Sequence, residues 1–165
     1  MKAVVVYESL WGNTAAIARA IAEGIGPGVR ALTTSEASGA AVADADLIVA
    51  GAPVFGFSLA SDKMLQGIAA NPGNPPAPPD VSHPSLRSWL DALPHGSGRS
   101  AAFETRLSWS PGGATPAIVR ALERAGFSPV AKPARFIVKG KFGPLRDGEL
   151  ERARQWGAEL AKAME

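Results

Sequence analysis

The chain has 165 residues, 46% of them hydrophobic and 19% charged, a balance typical of one globular domain rather than of a disordered chain. The absence of cysteine excludes disulfides, thiolate metal sites and a cysteine nucleophile, and only two histidines disfavour a histidine-rich metal site. No apolar run approaches the roughly 20 residues of a membrane span or forms a signal peptide, so we expect a cytoplasmic protein. The net charge is −3 over residues 1–98 and +5 over residues 99–165, without the clustering that indicates nucleic-acid binding.

Short apolar runs alternate along the chain with segments of helical periodicity, a pattern that predicts βαβ units around a parallel sheet. With right-handed crossovers, this pattern predicts an α/β three-layer sandwich with a five-stranded parallel sheet. The predicted strands span residues 3–7, 29–33, 47–52, 100–103 and 135–138. The predicted helices span residues 13–25, 85–93, 115–124 and 147–164, the last with Asp147 as its candidate N-cap.

The segment between the third and fourth strands is too long for one crossover helix. Residues 71–84 contain six prolines in fourteen positions, so they can neither continue a helix nor supply the hydrogen bonds of a sheet. We therefore expect a single domain, residues 1–165, with an insertion at about 57–84 that precedes the crossover helix. One short helix is expected near residues 62–69.

The most informative stretch lies between the first strand and the first helix and reads YESLWGNT over residues 7–14. At such a junction several backbone N–H groups meet the positive end of a helix dipole, and Ser9, Asn13 and Thr14 add side-chain donors. No lysine or arginine lies between Lys2 and Arg19, so a phosphate would be held by neutral donors. The P-loop lysine and the G-x-G-x-x-G pattern are absent, which disfavours an ATPase or a dinucleotide-binding enzyme. On spacing alone, an ordinary helix cap remains an alternative.

Residues 9–14, SLWGNT, resemble the flavodoxin phosphate loop, [ST]-x-x-G-x-[ST], and follow the first strand as they do in that family. Residues 46–53, DLIVAGAP, resemble the third strand of that family where it leads into the first flavin-flanking loop. The resemblance covers nearly the whole chain except the proline-rich insertion. It implies a flavodoxin-like sheet of order 2-1-3-4-5 with FMN as cofactor at the switch point between the first and third strands.

Carried over position by position, the resemblance implies that residues 9–14 bind the FMN phosphate and that the loops after the third and fourth strands flank the ring. Phe55, Phe57 and Trp109 are candidates for stacking. Arg106 is expected either to place a positive charge beside the pyrimidine edge of the ring or to point into solvent. No catalytic residue and no metal site are implied. The implied cofactor-binding residues are Ser9, Leu10, Trp11, Gly12, Asn13, Thr14, Pro53, Val54, Phe55, Gly56, Thr105, Arg106, Leu107 and Trp109.

Three functions on this fold remain open at this point. The first is an FMN-binding electron-transfer protein, whose partner is a redox protein or a small electron acceptor. The second is an FMN-dependent NAD(P)H or quinone-type oxidoreductase. The insertion favours it, and so does the excess of basic over acidic residues, because flavodoxins that act purely as electron carriers tend to be acidic. The third is a flavodoxin-like binding protein that has lost FMN.

Weaker patterns point elsewhere. Residues 56–60, GFSLA, faintly resemble a nucleophile elbow, but the second glycine is missing and an ordinary loop serine is the simpler interpretation. A receiver domain would need an acidic cluster after the first strand, where only Glu8 is present. Residues 132–146 contain five basic residues and no acidic one, which indicates either protection of a sheet edge or a docking face for an acidic partner.

Overall fold

The computed structural model describes all 165 residues and confirms the α/β class, a parallel sheet flanked by helices. The strands are β1 (Ala3–Tyr7), β2 (Arg30–Thr33), β3 (Leu47–Pro53), β4 (Arg99–Leu107), β5 (Ser128–Pro129) and β6 (Ala134–Val138). The helices are α1 (Asn13–Ile25), α2 (Gly39–Ala43), α3 (Asp62–Ala70), α4 (Leu86–Asp91), α5 (Thr115–Arg124) and α6 (Glu149–Ala163). No helix is long and apolar enough to span a membrane.

The sheet has the order β2-β1-β3-β4-β5, with β6 also beside β4 and every pairing parallel. The predicted order 2-1-3-4-5 is confirmed, and the fifth strand predicted at residues 135–138 is β6. The position beside β4 is shared by two strands, because β5 pairs with the beginning of β4 and β6 pairs with its end. The two-residue β5 was not predicted. Pro129 and Pro133 lack the backbone N–H that a continuous strand would use between β5 and β6.

Two hydrophobic cores form because alternate residues of the central strands face opposite sides of the sheet. On β3, Ile48 packs with the core that includes α4 and α5, whereas Leu47 and Val49 pack with the core that includes α1 and α6. All three side chains are fully buried. Burial on both faces explains why β3 is a continuous apolar run in the sequence.

Three helices differ from their prediction, and one of them, α4, is shorter than the predicted 85–93. Helix α2 was not predicted, since five small residues carry little periodicity. Helix α6 begins at Glu149, and its N-cap is Gly148 with φ +85°, so the prediction of Asp147 as the cap is wrong. The Asp147 carboxylate is exposed and lies 3.5 Å from the Lys139 ammonium instead.

The long segment after β3 contains α3, which occupies the place of the predicted short helix. Residues 71–85 then contain no helix or strand before α4 begins. Part of this stretch lies against the loop between β1 and α1: Asp80 N–H donates to the Leu10 carbonyl at 2.9 Å. The proline-rich residues are therefore close to the predicted phosphate loop.

Candidate functional site

A cavity of about 120 Å³ lies at the edge of the sheet where the carboxyl ends of β1, β3, β4 and β6 meet. Fourteen residues line it, and eleven of them belong to the set expected from the sequence. Those eleven are Ser9, Leu10, Trp11, Asn13, Thr14, Pro53, Val54, Phe55, Thr105, Arg106 and Leu107. The fold therefore brings the loop after β1 together with the ends of β3 and β4, at the edge where doubly wound sheets bind ligands. Thr105, Arg106 and Leu107 lie on β4 itself and not in the loop after it, because the strand continues to Leu107, four residues beyond its predicted end.

Three expected residues do not line the cavity, and three unexpected ones do. Gly12, Gly56 and Trp109 lie outside the lining, and the Trp109 side chain is 76% exposed. Ser110, Val138 and Lys141 are the additions. Lys141 reaches the cavity because β6 pairs with β4, a contact between distant parts of the chain that no local pattern could reveal.

The loop between β1 and α1 is rich in unused backbone donors. The N–H groups of Leu10, Trp11, Asn13, Thr14 and Ala15 have no acceptor within the protein. Helix α1 has no side-chain N-cap, and its first hydrogen bond runs from Ala16 N–H to the Gly12 carbonyl. Such orphan donors at the positive end of a helix form a site for an anion.

The shape of this loop depends on Ser9 and Gly12. The Ser9 hydroxyl accepts from Gly12 N–H at 3.1 Å and closes the turn. Gly12 has φ +94°, a left-handed conformation that side chains other than glycine adopt at a cost. At the far end of the loop, the buried hydroxyls of Thr14 and Thr105 lie 2.8 Å apart and join α1 to β4.

Two segments from elsewhere in the chain hold the loop at Trp11. The Trp11 indole donates from Nε1 to the Ala77 carbonyl at 3.2 Å, which connects the loop to the proline-rich residues. On another side, the ring packs edge-on against Phe142 with centroids 4.6 Å apart. Asn13 Nδ2 donates to the Phe142 carbonyl at 3.1 Å. These contacts fix the loop before any ligand binds.

Arg106 is buried at the wall of the cavity and does not point into solvent. It is only 8% exposed, and its guanidinium pairs with the fully buried Glu104 carboxylate at 2.8 Å. It also donates to the carbonyls of Gly112 and Ser110. The expectation of a solvated arginine is therefore wrong, and the positive charge at the cavity wall is compensated by Glu104.

Glu8 is a buried acid next to the loop that the sequence did not single out for a role. Its Oε1 accepts from Leu86 N–H at 2.8 Å at the beginning of α4, while its Oε2 is buried with no hydrogen-bond partner. The pKa of Glu8 is raised to about 7, mainly by burial; the hydrogen bond from Leu86 N–H opposes the shift, the Asp62 carboxylate adds to it and Arg87 opposes it. A second cavity of about 120 Å³ beside Glu8 is also lined by Asp80 and His83.

The residues of the nucleophile-elbow pattern do not assemble into a hydrolase site. Ser58 ends a tight turn, exchanging two backbone hydrogen bonds with Phe55. The His83 ring lies 2.7 Å from the Ser35 hydroxyl and 3.5 Å from the Asp80 carboxylate, and it makes no hydrogen bond to Ser58. No group of three or more histidine, aspartate or glutamate side chains is arranged to hold a metal ion.

No protein-family model matches this sequence, and no curated protein matches it either. Solved structures match at low sequence identity. A flavodoxin from the domain Archaea is 21% identical with a TM-score of 0.67, over 99% of both chains. Flavodoxin 2 from Bacillus cereus is 15% identical with a TM-score of 0.69, over 98% of this chain and 99% of that chain. Rubredoxin oxygen:oxidoreductase from Desulfovibrio gigas is 20% identical with a TM-score of 0.62, over 99% of this chain but only 36% of the longer one.

Proposed function

Because this chain has the flavodoxin-like fold, we propose that it binds FMN in the cavity at the sheet edge and acts as an electron-transfer protein in the cytoplasm. One observation carries the proposal: the backbone N–H groups of Leu10, Trp11, Asn13 and Thr14, four residues that line the cavity, have no acceptor in the protein. Several unsatisfied N–H donors can bind an anion that has several oxygen atoms as hydrogen-bond acceptors, and the phosphate group of a phosphate monoester is such an anion.

The charges of the cavity fit a phosphate. No aspartate or glutamate is among the lining residues, and the charged side chains there are Arg106 and Lys141. Glu104 compensates Arg106, which leaves Lys141 as the lining cation without an ion pair. Neutral donors would therefore hold the phosphate, as expected from the loop sequence, while the cavity as a whole stays favourable to a dianion.

The remaining walls fit a flat aromatic ring. Trp11, Val54, Phe55 and Leu107 supply apolar and aromatic surface, and the backbone of residues 105–107 supplies polar groups at the end of β4. Bound FMN would supply the redox chemistry, which is the cofactor's own. The protein would position the ring, limit the access of water and set the electrostatic surroundings.

An FMN-dependent NAD(P)H or quinone-type oxidoreductase is the second candidate. This candidate is supported by the similarity to one part of rubredoxin oxygen:oxidoreductase, because that longer protein contains this fold together with additional sequence. The proline-rich segment against the phosphate loop, at Ala77 and Asp80, offers a wall that could select an acceptor. A fold that has lost FMN is the third candidate.

The test begins with an absorption spectrum of the purified protein with added FMN, followed by anaerobic reductive titration. A shifted flavin spectrum that titrates reversibly supports the electron-transfer proposal. NAD(P)H consumption with a quinone acceptor, without an added reductase, would favour the oxidoreductase instead. A protein that leaves the FMN spectrum unchanged at saturating concentration would overturn both.

A further inference from the structure

Three loops at the cavity edge of the sheet are neighbours because the strands before them pair in register. Pro53 pairs with Thr105, and Leu107 pairs with Val138, so β3, β4 and β6 end side by side. The loops that continue from these ends are residues 54–61, 108–114 and 139–146. Together they are named the edge surface below.

Two large aromatic side chains of the edge surface are exposed to solvent. Phe57 is 68% exposed and Trp109 is 76% exposed. Their loops are joined, because the Phe57 carbonyl accepts from Gly113 N–H at 3.0 Å. Exposed aromatic groups held beside a cavity are typical anchors of protein interfaces, where Trp and Phe are enriched.

Phe57 is also held in a strained backbone conformation. Phe55 and Ser58 exchange hydrogen bonds of 2.8 and 2.9 Å, and the two residues between them, Gly56 and Phe57, have φ +52° and +67°. A two-residue turn with both φ values positive is of the type I′ kind, which favours glycine or asparagine. Phenylalanine there is a conformational outlier, and folding stability does not explain its presence.

The charged residues within the three loops of the edge surface are Lys139, Lys141 and Arg146. Lys139 is paired with the exposed Asp147, which directly follows the last loop, and Arg146 is paired with Glu149 at the beginning of α6. Lys141 is exposed and makes no ion pair, so it is the uncompensated charge of these loops. Its ammonium lies 5.4 Å from the centroid of the Phe142 ring. Lys141 lines the same cavity as Ser110, the residue after Trp109, so an unpaired cation shares this edge of the sheet with the aromatic anchors.

We propose that the edge surface docks an acidic partner protein, with Phe57 and Trp109 as apolar anchors and Lys141 as a steering cation. The inference rests on the proposed function in that the partner would exchange electrons with FMN in the adjacent cavity. Complementary charge accelerates such encounters and fixes their orientation, while central aromatic residues carry most of the binding energy. A second copy of this chain would present the same positive charge, so the two copies would repel each other at this surface.

The experiment uses a small acidic [2Fe–2S] ferredoxin as the probe and a basic cytochrome c of similar size as the control. Each is titrated into ¹⁵N-labelled protein, both with saturating FMN and without added flavin. The Trp109 indole N–H reports on the surface itself, since the Trp109 side chain is exposed to solvent. Docking of the ferredoxin should shift or broaden this signal and should weaken with added salt.

Two variants remove the proposed contacts. Phe57→Gly and Lys141→Glu should each weaken ferredoxin binding by roughly fivefold or more. Phe57→Gly should also raise the midpoint of thermal unfolding, because glycine relieves the strained turn, so weaker binding cannot be attributed to misfolding. Lys162→Glu makes the same charge change near the end of α6, remote from the edge surface, and should bind as wild type does.

Ferredoxin affinities unchanged in Phe57→Gly and Lys141→Glu would overturn the proposal. The proposal would also be overturned if cytochrome c bound as tightly as the ferredoxin or more tightly. A dimer of this chain, detected by sedimentation, whose interface covers Trp109 would overturn it as well. The arm without flavin separates this proposal from the proposed function. Docking on a protein that never binds FMN would contradict the FMN site alone, and FMN binding without docking would contradict the docking surface alone.

Discussion

Glu104 and Arg106, two residues apart on β4, form a buried ion pair in which Oε2 of the carboxylate lies 2.8 Å from the guanidinium. The other carboxylate oxygen accepts from the N–H groups of Ala114 and Thr115 at the beginning of α5. Arg106 in turn donates to the Gly112 carbonyl at 2.7 Å. One pair of side chains thus positions both the loop after β4 and the helix that follows it.

Arg106→Met should strongly destabilise the protein, because it leaves the Glu104 carboxylate buried without its cation. Removing one partner of a buried ion pair costs about 3–5 kcal/mol of the free energy of unfolding. Denaturant titration measures this loss. Arg154→Met is the matched control, since it breaks an exposed pair with Glu23 at the same 2.8 Å and should change stability little. Equal losses in both variants would show that Glu104 does not depend on Arg106.

Glu8 should make the stability of the protein depend on pH. Its pKa is raised to about 7 by burial, from 4.5, so the folded state binds a proton more tightly than the unfolded state does. The free energy of unfolding should therefore fall as the pH rises from about 4.5 to 7, by up to about 3 kcal/mol from this group. Carboxylates whose pKa is lowered, such as Asp62 and Glu149, titrate below this range.

Glu8→Gln tests that assignment. The amide cannot ionise, so the variant should lack this decrease and should be more stable than wild type above pH 7. Glu123→Gln changes an exposed glutamate without an ion pair and should keep the wild-type profile. Urea denaturation between pH 4.5 and 8.5 gives both profiles. A Glu8→Gln profile that parallels the wild type would show that Glu8 ionises normally in the folded protein.

Trp11→Phe should loosen the proline-rich segment. It removes the Nε1 hydrogen bond to the Ala77 carbonyl and keeps an aromatic ring beside Phe142. Loss of one hydrogen bond of about 1 kcal/mol should accelerate amide exchange of Asp80, whose N–H donates to the Leu10 carbonyl, by roughly fivefold. Hydrogen exchange followed by NMR measures that rate.

Trp89→Phe is the matched control for this experiment. It removes the same kind of bond, from indole Nε1 to the Ala37 carbonyl at 2.7 Å, in the core on one face of the sheet. It should lower global stability without selectively accelerating exchange at Asp80. If Trp11→Phe also leaves Asp80 protected, the indole bond does not hold the segment against the loop.

The parts of the fold with strong local signals could be predicted from the sequence. Helix α1 begins at Asn13 and ends at Ile25 as predicted, because apolar periodicity and Gly26 mark it clearly. Helix α5 also has its predicted bounds. The two-residue β5 was not predictable, because its pairing with β4 is a tertiary contact without a pattern of its own.

At the cavity too, residues within a local motif could be predicted, whereas residues that join through tertiary contacts could not. The loop over residues 9–14 could be singled out as one group because the whole motif is contiguous in the chain. Lys141 was missed, since it joins the cavity only through the pairing of β6 with β4. The environment of Arg106 was also missed, because its compensation by Glu104 and its bond to the Gly112 carbonyl depend on the path of the following loop.

Ser9→Asp should separate stability from ligand binding at the proposed phosphate loop. A carboxylate at this position would place a negative charge near the orphan N–H groups at the beginning of α1 and stabilise the protein by about 0.3–1 kcal/mol. The same negative charge would repel a phosphate and should weaken FMN binding by roughly a hundredfold. Ser38→Asp, at the N-cap of α2, adds the same charge away from the cavity and should leave FMN affinity unchanged. If Ser9→Asp keeps the wild-type affinity for FMN, the phosphate does not bind at this loop.

The most direct test of the FMN site compares FMN with riboflavin, which has the same ring and no phosphate, by fluorescence titration of the wild-type protein in one buffer. Several backbone N–H groups of residues 10–15 are free to bind phosphate oxygens, and hydrogen bonds to a charged group contribute about 1.5–3 kcal/mol each. FMN should therefore bind at least roughly a hundredfold more tightly than riboflavin. Equal affinities for the two flavins, or no binding of either, would contradict the assignment of the loop between β1 and α1 as a phosphate site.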